Sequence, residues 1–260
     1  MSRLPLAFVI CLLVLMRVPC TAQAPASSIS AAAILTQSLN ASGVGQSPGL
    51  AFTANGTITY FWGGEQVQGP ATLRARGHDQ FRLDANLPEG TRSHAVSRRA
   101  GTRKEANGKR TEIPYHNTLG MGIPSLPYAS IALALTDPAF TISYVGLVES
   151  GGRQVHQVRV VKNFPNDRDP DGLLAGLSRT DYFVDALTFL VSKTEDLTHP
   201  VETITESYSH EVELADYTVQ SGIAVPTTIR EKVGGQTIWE FRLSTIAFNP
   251  NLSDGDFTLP

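Results

Sequence analysis

Residues 223–248 read IAVPTTIREKVGGQTIWEFRLSTIAF, and this stretch decides the fold of the chain. Polar and apolar residues alternate around the pair Gly234-Gly235, most regularly from Trp239 to Leu243. A period of two gives a strand one apolar face and one wet face, and a Gly-Gly pair favours a tight hairpin turn. The segment therefore predicts two long antiparallel strands. We expect these last strands to complete the sheet, with no further module after them.

The same alternation recurs upstream, so most of the chain is predicted to be strand. Helices are expected only at 30–40 and in the segment from Tyr128 to Leu135, which begins after Pro127 and ends before Asp137-Pro138. The second helix carries an apolar stripe that is either a plug of the core or a lid over an apolar cavity. The other predicted strands are 52–62, 66–76, 80–86, 140–149, 153–162, 179–192 and 204–219.

The strand count and the short turns predict a mainly β fold. We expect a single antiparallel, curled, unclosed β-barrel of about 10 or 11 strands, because so many strands do not stay flat. One or two helices are expected to cover its open apolar side.

The first 24 residues are typical of a secretory signal peptide. An apolar run from Leu4 to Met16 follows Arg3 and leads into small residues that end at Ala24. The run is too short for a spanning helix of about 20 apolar residues, so an uncleaved anchor is less favoured. We expect cleavage after Ala22 or Ala24, a single domain over 25–260 with no transmembrane segment, and a periplasmic or secreted location. Lipid attachment at Cys20 is the alternative.

Composition excludes several classes of function. Cys11 and Cys20 both lie in the predicted signal, so the mature chain would have no disulfide, no thiolate nucleophile and no zinc finger. Removing Arg3 and Arg17 would change the net charge from -3 to -5, which is unlike a nucleic-acid binder.

The charges are unevenly distributed along the chain. The basic segment, 92–110, holds seven Arg and Lys residues against Glu105 alone, whereas the acidic segment, 195–216, holds seven acids and neither Lys nor Arg. The two segments are interpreted either as solvated hairpins facing each other or as a docking patch for an anionic surface or another envelope protein.

A search for catalytic and metal-binding motifs finds little. There is no Gly-x-Ser-x-Gly elbow, and the six histidines have no ligand spacing. Asp181 and Asp185 would stand about 13 Å apart on one strand face, too far for an acid-base dyad. The sequence therefore predicts a protein that is not an enzyme and has no cofactor and no metal.

One acidic loop resembles a calcium-binding loop. Asp167, Asp169 and Asp171 precede a glycine at the spacing of such loops, but Ser178 stands where a bidentate Glu is needed. A plain acidic turn is favoured over a calcium site.

The order of features resembles the periplasmic outer-membrane lipoprotein-carrier superfamily, the LolA-like and LolB-like proteins. The small N-terminal helix is followed by a strand containing Gly56-Thr57-Ile58, and an Arg-containing strand follows at 81–84. The similarity continues with a hairpin around 182–191. It is completed by the last part of the sequence, at 222–227, 246–249, Phe257 and Pro260. The resemblance implies a half-barrel with helices over an apolar cavity that holds acyl chains. Segments 92–110 and 163–179 look inserted relative to that family.

We therefore predict an exported envelope protein that binds a lipid or a lipidated peptide between sheet and helix. The alternative is an interaction or regulatory module whose core is filled, and an unrecognised hydrolase is the third hypothesis. Each residue of the predicted cavity can equally be ordinary core. The candidate lining residues are Phe52, Ile58, Tyr60, Trp62, Phe81, Leu83, Tyr128, Ile131, Leu135, Trp239, Phe241 and Leu243.

Overall fold

The structure is a computed structural model that describes residues 30–45, 50–120 and 124–259. The predicted signal peptide and both cysteines lie outside the described residues. None of the helices in the described ranges is long and apolar enough to cross a membrane.

Thirteen antiparallel strands form one curled, unclosed sheet, which confirms the predicted fold class. The strands are β1 (Ala51–Trp62), β2 (Glu65–Arg76), β3 (Gln80–Leu87), β4 (Gly90–Ser97), β5 (Ala100–Lys104), β6 (Arg110–Ile113), β7 (Phe140–Ser150), β8 (Arg153–Lys162), β9 (Thr180–Asp185), β10 (Val191–Thr198), β11 (Tyr208–Gln220), β12 (Ile223–Val233) and β13 (Gln236–Phe248). Their spatial order is β6-β5-β4-β3-β2-β1-β13-β12-β11-β10-β9-β8-β7.

This order consists of two meanders joined at the centre of the sheet. Strands β1 to β6 and strands β7 to β13 each pair with their sequence neighbours, and the first strand pairs with the last from Phe52↔Phe248 to Tyr60↔Trp239. The two edges are β6 and β7, and the chain between them, 114–139, must cross from one edge to the other.

The sheet has more strands than the sequence pattern indicates, for two local reasons. The basic segment, 92–110, forms most of β4, all of β5 and the first residue of β6, which extend the first meander. The predicted strand 179–192 divides into β9 and β10 at a turn where Phe189 has a φ of 57°.

In the described ranges, three α-helices accompany the sheet: α1 (Ala31–Ser42), α2 (Tyr128–Thr136) and α3 (Leu173–Leu177), with short 3₁₀ turns at Tyr115–Thr118 and Asp254–Phe257. The first two lie at the predicted positions. Ser30 caps α1 by accepting a hydrogen bond from the amide of Ala33 at 3.1 Å, and Gly43 ends it with a φ of 78°. Both helices pack on each other and on β7.

The short helix α3 lies in the predicted calcium-like loop. The carboxylate of Asp169 is buried and accepts hydrogen bonds from the amides of Leu174 and Ala175, both at 2.9 Å. Asp169 therefore caps the first turn of α3, which is a structural use of the loop. No group of three or more metal-ligating side chains occurs in the described parts of the chain.

Candidate functional site

Most of the predicted cavity residues belong to one buried apolar cluster. Eight of them are at most 3% exposed: Phe52, Ile58, Phe81, Leu83, Tyr128, Ile131, Trp239 and Phe241. Tyr60, Leu135 and Leu243 are half-buried and pack against this cluster, whereas Trp62 at the end of β1 is 79% exposed. The structure thus brings eleven of the twelve together and leaves Trp62 in solvent.

The two long helices lie within this cluster and close one end of the half-barrel. Ile34, Leu35 and Leu39 of α1 and Ile131 of α2 are completely buried in it. The Tyr128 hydroxyl donates to the carbonyl of Ala224 in β12. Beside the start of α2, a crevice of about 10 Å³ is lined by Pro127 and Ser130, which is room for one water. In this conformation the helices occupy the apolar end of the concave face.

A larger cavity of about 230 Å³, here called the hollow, lies further along the sheet. The segment 111–120, which runs from the edge strand β6 into the 3₁₀ turn, forms one side of it, and strands β4, β5 and β10 to β12 contribute the others. Its lining residues are His94, Val96, Arg103, Thr111, Glu112, Ile113, Pro114, Asn117, Thr118, Gly120, Pro124, Asp196, Leu197, Thr198, His199, Pro200, Val201, His210, Glu231 and Val233.

One wall of the hollow carries a buried charge network. His210 of β11 bonds through Nδ1 to Asp196 of β10 at 2.6 Å and through Nε2 to Glu231 of β12 at 3.0 Å. Burial alone would lower the pKa of His210, but the two carboxylates outweigh it and raise the pKa to about 10. Burial would likewise raise the pKa of Glu231, but the His210 hydrogen bond and charge lower it to about 2. The network is therefore an imidazolium between two carboxylates, with a net charge of minus one.

The opposite wall carries His94 and Arg103, which are cross-strand neighbours on β4 and β5. Burial, with a contribution from Arg103, lowers the pKa of His94 to about 3, so its ring is neutral. The ring packs edge-on against Phe81 with centroids 5.3 Å apart. Within the described ranges, neither His94 nor Arg103 has a hydrogen-bond or ion-pair partner, so both are available to a ligand.

These two walls come from the two charged segments of the sequence. Arg103 belongs to the basic segment, and Asp196 and His210 belong to the acidic segment. Asp196 and His210 are largely buried in one wall of the hollow, so this part of the acidic segment is not a solvated hairpin.

Contacts between the 3₁₀ turn and the chain after β10 hold the hollow's rim. The side chain of Asn117 bonds to both the amide and the carbonyl of His199, each at 2.8 Å. His199 Nδ1 donates to the carbonyl of Glu206, so its Nε2 is an acceptor, and this atom is buried with no partner among the described residues.

Sequence reasoning missed the polar residues of the hollow. The six histidines were interpreted as scattered, because the pattern of a single strand does not show which residues of neighbouring strands it pairs with. A signal was present in β12, where Glu231 lies on the same strand face as Ile229. An ionisable residue on an apolar strand face indicates either a buried ion pair or a site.

Asp181 and Asp185 do not converge on a site. Asp181 is completely buried and bonds to Arg159 at 2.8 Å and to Arg179 at 3.0 Å. Asp185 accepts from the amides of Leu187 and Thr188 in the turn after β9. Both carboxylates have structural roles.

The same fold occurs in solved structures of low sequence identity. A LolA superfamily protein from Nitrosomonas europaea superposes with a TM-score of 0.53 at 12% identity, over 89% of this chain and 99% of that chain. A DUF1329 family protein from Desulfovibrio piger gives a TM-score of 0.52 at 11% identity, over 88% of this chain and 95% of that chain. No family model matches the sequence, and no curated protein is similar to it. The chain therefore has a LolA-like fold, as the sequence resemblance predicted.

Proposed function

We propose that this protein is an exported cell-envelope protein that binds an amphipathic ligand, a lipid or an acylated protein, on the concave face of its half-barrel. The role is that of a carrier or sensor without catalysis. The observation that carries the proposal is the hollow, an open cavity on the concave face of a LolA-like sheet. The resemblance to periplasmic lipoprotein carriers is the reason for expecting an acyl chain as part of the ligand.

The hollow adjoins the predicted apolar residues. Glu231, which lines the hollow, is the cross-strand neighbour of Trp239, and Trp239 is the neighbour of Tyr60. A ligand that enters the hollow therefore meets the apolar cluster next. Each CH₂ group buried there would contribute about 0.8 kcal/mol to binding.

A long chain requires the helices to move. The hollow measures about 230 Å³, which is below the ~300 Å³ at which small-molecule sites usually begin. We propose that α2 shifts away from the sheet when cargo enters, so that the chain takes the place of Tyr128 and Ile131 against the concave face. The closed arrangement would then be the unloaded state.

Binding of a fluorescent fatty acid tests this function, together with native mass spectrometry of gently purified protein. Val201 lines the hollow and is 63% exposed, so Val201→Trp should block the entrance without disturbing the core. Val219→Trp is the matched control, because Val219 is 74% exposed and lies on β11 away from the hollow. We expect weaker binding in the first variant only. A ligand-free protein that also binds no fatty acid would refute the proposal.

A second candidate is an interaction or regulatory module with a filled core. The observation that favours it is the complete burial of α1 and α2 residues in the apolar cluster. Its docking surface would be the outward face of the basic segment, where Lys104, Lys109 and Arg110 form no ion pair with any described residue. Salt-sensitive co-purification of an envelope partner, lost when these three residues are changed to Gln, would favour this function.

A further inference from the structure

The hollow has charges of opposite sign on its two walls, and neither charge is fully used within the protein. Glu231 is 5% exposed, and only its Oε1 is bonded, to His210. Its second oxygen has no hydrogen-bond partner among the residues that the structure describes. A buried carboxylate oxygen that lines a cavity is a strong acceptor for a cationic donor.

The facing wall offers a cation. Arg103 is exposed, lines the hollow and has no acidic partner in the described ranges. Thr111, opposite Arg103 on β6, shares its face. Glu112, the next residue of β6, is exposed and also lines the hollow. Glu105, the residue directly after β5, pairs with Arg92. A guanidinium in this position suits a phosphate or a carboxylate.

The network and Arg103 carry opposite charges, and the exposed Glu112 adds a further negative charge to the lining. Asp196, His210 and Glu231 together carry one negative charge, and Arg103 supplies one positive charge at the other wall. A purely anionic group would be repelled by Glu231, and a purely cationic group would be repelled by Arg103. Only a dipolar group satisfies both walls at once.

We infer that the hollow recognises the zwitterionic head group of an amphiphile, with its ammonium at Glu231 and its phosphate at Arg103. This inference rests on the proposed function and specifies the class of lipid. The volume is consistent with a head group, because 230 Å³ is about eight times the ~30 Å³ that one water molecule occupies in the liquid. Val96, Ile113 and Val233 provide the apolar part of the lining for the adjoining carbons.

Calorimetry with three monoacyl lipids of one chain length, each below its critical micelle concentration, tests the inference. Lysophosphatidylethanolamine carries an ammonium and a phosphate, lysophosphatidylglycerol carries the phosphate alone, and monoacylglycerol carries no charge. We expect the first to bind about tenfold more tightly than the second, since one charged hydrogen bond distinguishes them. Equal affinities, or a preference for the phosphatidylglycerol form, would overturn the inference and leave the proposed function intact.

Two variants test which wall of the hollow binds the ammonium and which binds the phosphate. Glu231→Gln should abolish the preference between the two phospholipids, whereas Glu240→Gln on β13, whose carboxylate pairs with Arg230 and Arg242, should keep it. Arg103→Gln should weaken both phospholipids by about tenfold and leave monoacylglycerol unchanged. Its control is Lys104→Gln, the next residue of β5, on the opposite face. Arg103 is exposed, so this variant tests the inference even if Glu231→Gln does not fold.

Two other outcomes separate the inference from the proposed function. If none of the three lipids and no fluorescent fatty acid binds, the proposed function fails and the inference fails with it. If free phosphoethanolamine binds as tightly as the lysolipid, the hollow is a site for a soluble zwitterion, and the assignment to a lipid head group is wrong.

Discussion

Two histidines of the hollow should limit the stability of this protein on opposite sides of neutral pH. His210 has a pKa raised from 6.5 to about 10 by Asp196 and Glu231, against the effect of burial. His94 has a pKa lowered from 6.5 to about 3, first by burial and then by Arg103. His210 therefore binds its proton more tightly in the folded state, and His94 binds its proton less tightly.

The sign of each effect follows from these pKa values. The stabilisation from His210 is fully present below about pH 6.5 and is lost as the pH rises towards 10. The stabilisation from His94 is fully present above about pH 6.5 and is lost as the pH falls towards 3. At roughly 1.4 kcal/mol per pH unit, each should lower the free energy of unfolding by about 2 kcal/mol over the two units from pH 6.5, because the unfolded histidine is half titrated at the start.

Urea denaturation at about pH 4.5, 6.5 and 8.5 measures both effects. Trp239 is 2% exposed and lies beside Glu231, so its fluorescence reports unfolding of this region. His210→Gln should remove the decline between about pH 6.5 and 8.5, and His94→Gln should keep that decline but reduce the loss on the acid side. His210→Gln leaves two buried carboxylates without a cation, so its stability falls at every pH. The comparison with the parent protein therefore uses only the slope of the free energy of unfolding against pH. Identical alkaline slopes in the parent protein and His210→Gln would refute the reasoning.

Two further predictions concern packing and are checked by denaturation at neutral pH. Gly56→Ala should destabilise the protein by about 3 kcal/mol, since the new Cβ would lie 2.1 Å from the carbonyl oxygen of Arg242 at the bulge of β1. Gly146→Ala, which has no atom within 4 Å of its Cβ, should change stability by less than about 0.5 kcal/mol, and equal effects would contradict the steric explanation. Tyr128→Phe should cost about 2 kcal/mol, because it leaves a buried carbonyl of β12 unpaired. Tyr115→Phe, at a 50% exposed side chain, should cost almost nothing, and a similar loss in both would argue against a buried bond.

Periodicity predicted most of this fold because most of the long strands alternate polar and apolar residues. Strand β3 and helix α2 lie within one residue of their predicted bounds. The basic segment was interpreted as an insertion, since β5 and β6 are short strands of mostly polar residues near the sheet edge. Such strands are held by backbone pairing, which leaves little trace in side-chain patterns.

The apolar candidates were found from sequence, and the polar site was not. Trp239 and Phe241 share a strand face, so their burial follows from parity alone. Asp196, His210 and Glu231 belong to three strands, and only the register of β10, β11 and β12 brings them together. Register depends on turns and bulges, including the shift between Glu231 and Lys232, which a single strand's pattern does not specify.

The pairing of the first strand with the last has a consequence for when the chain acquires its shape. Phe52 must meet Phe248, so the midline of the sheet assembles only after the chain has been synthesised as far as residue 248. Contacts this distant in sequence make folding slow, on the scale of milliseconds to seconds or longer. Until then, the two half-formed meanders have unpaired strand edges, which are vulnerable to pairing with the wrong strands.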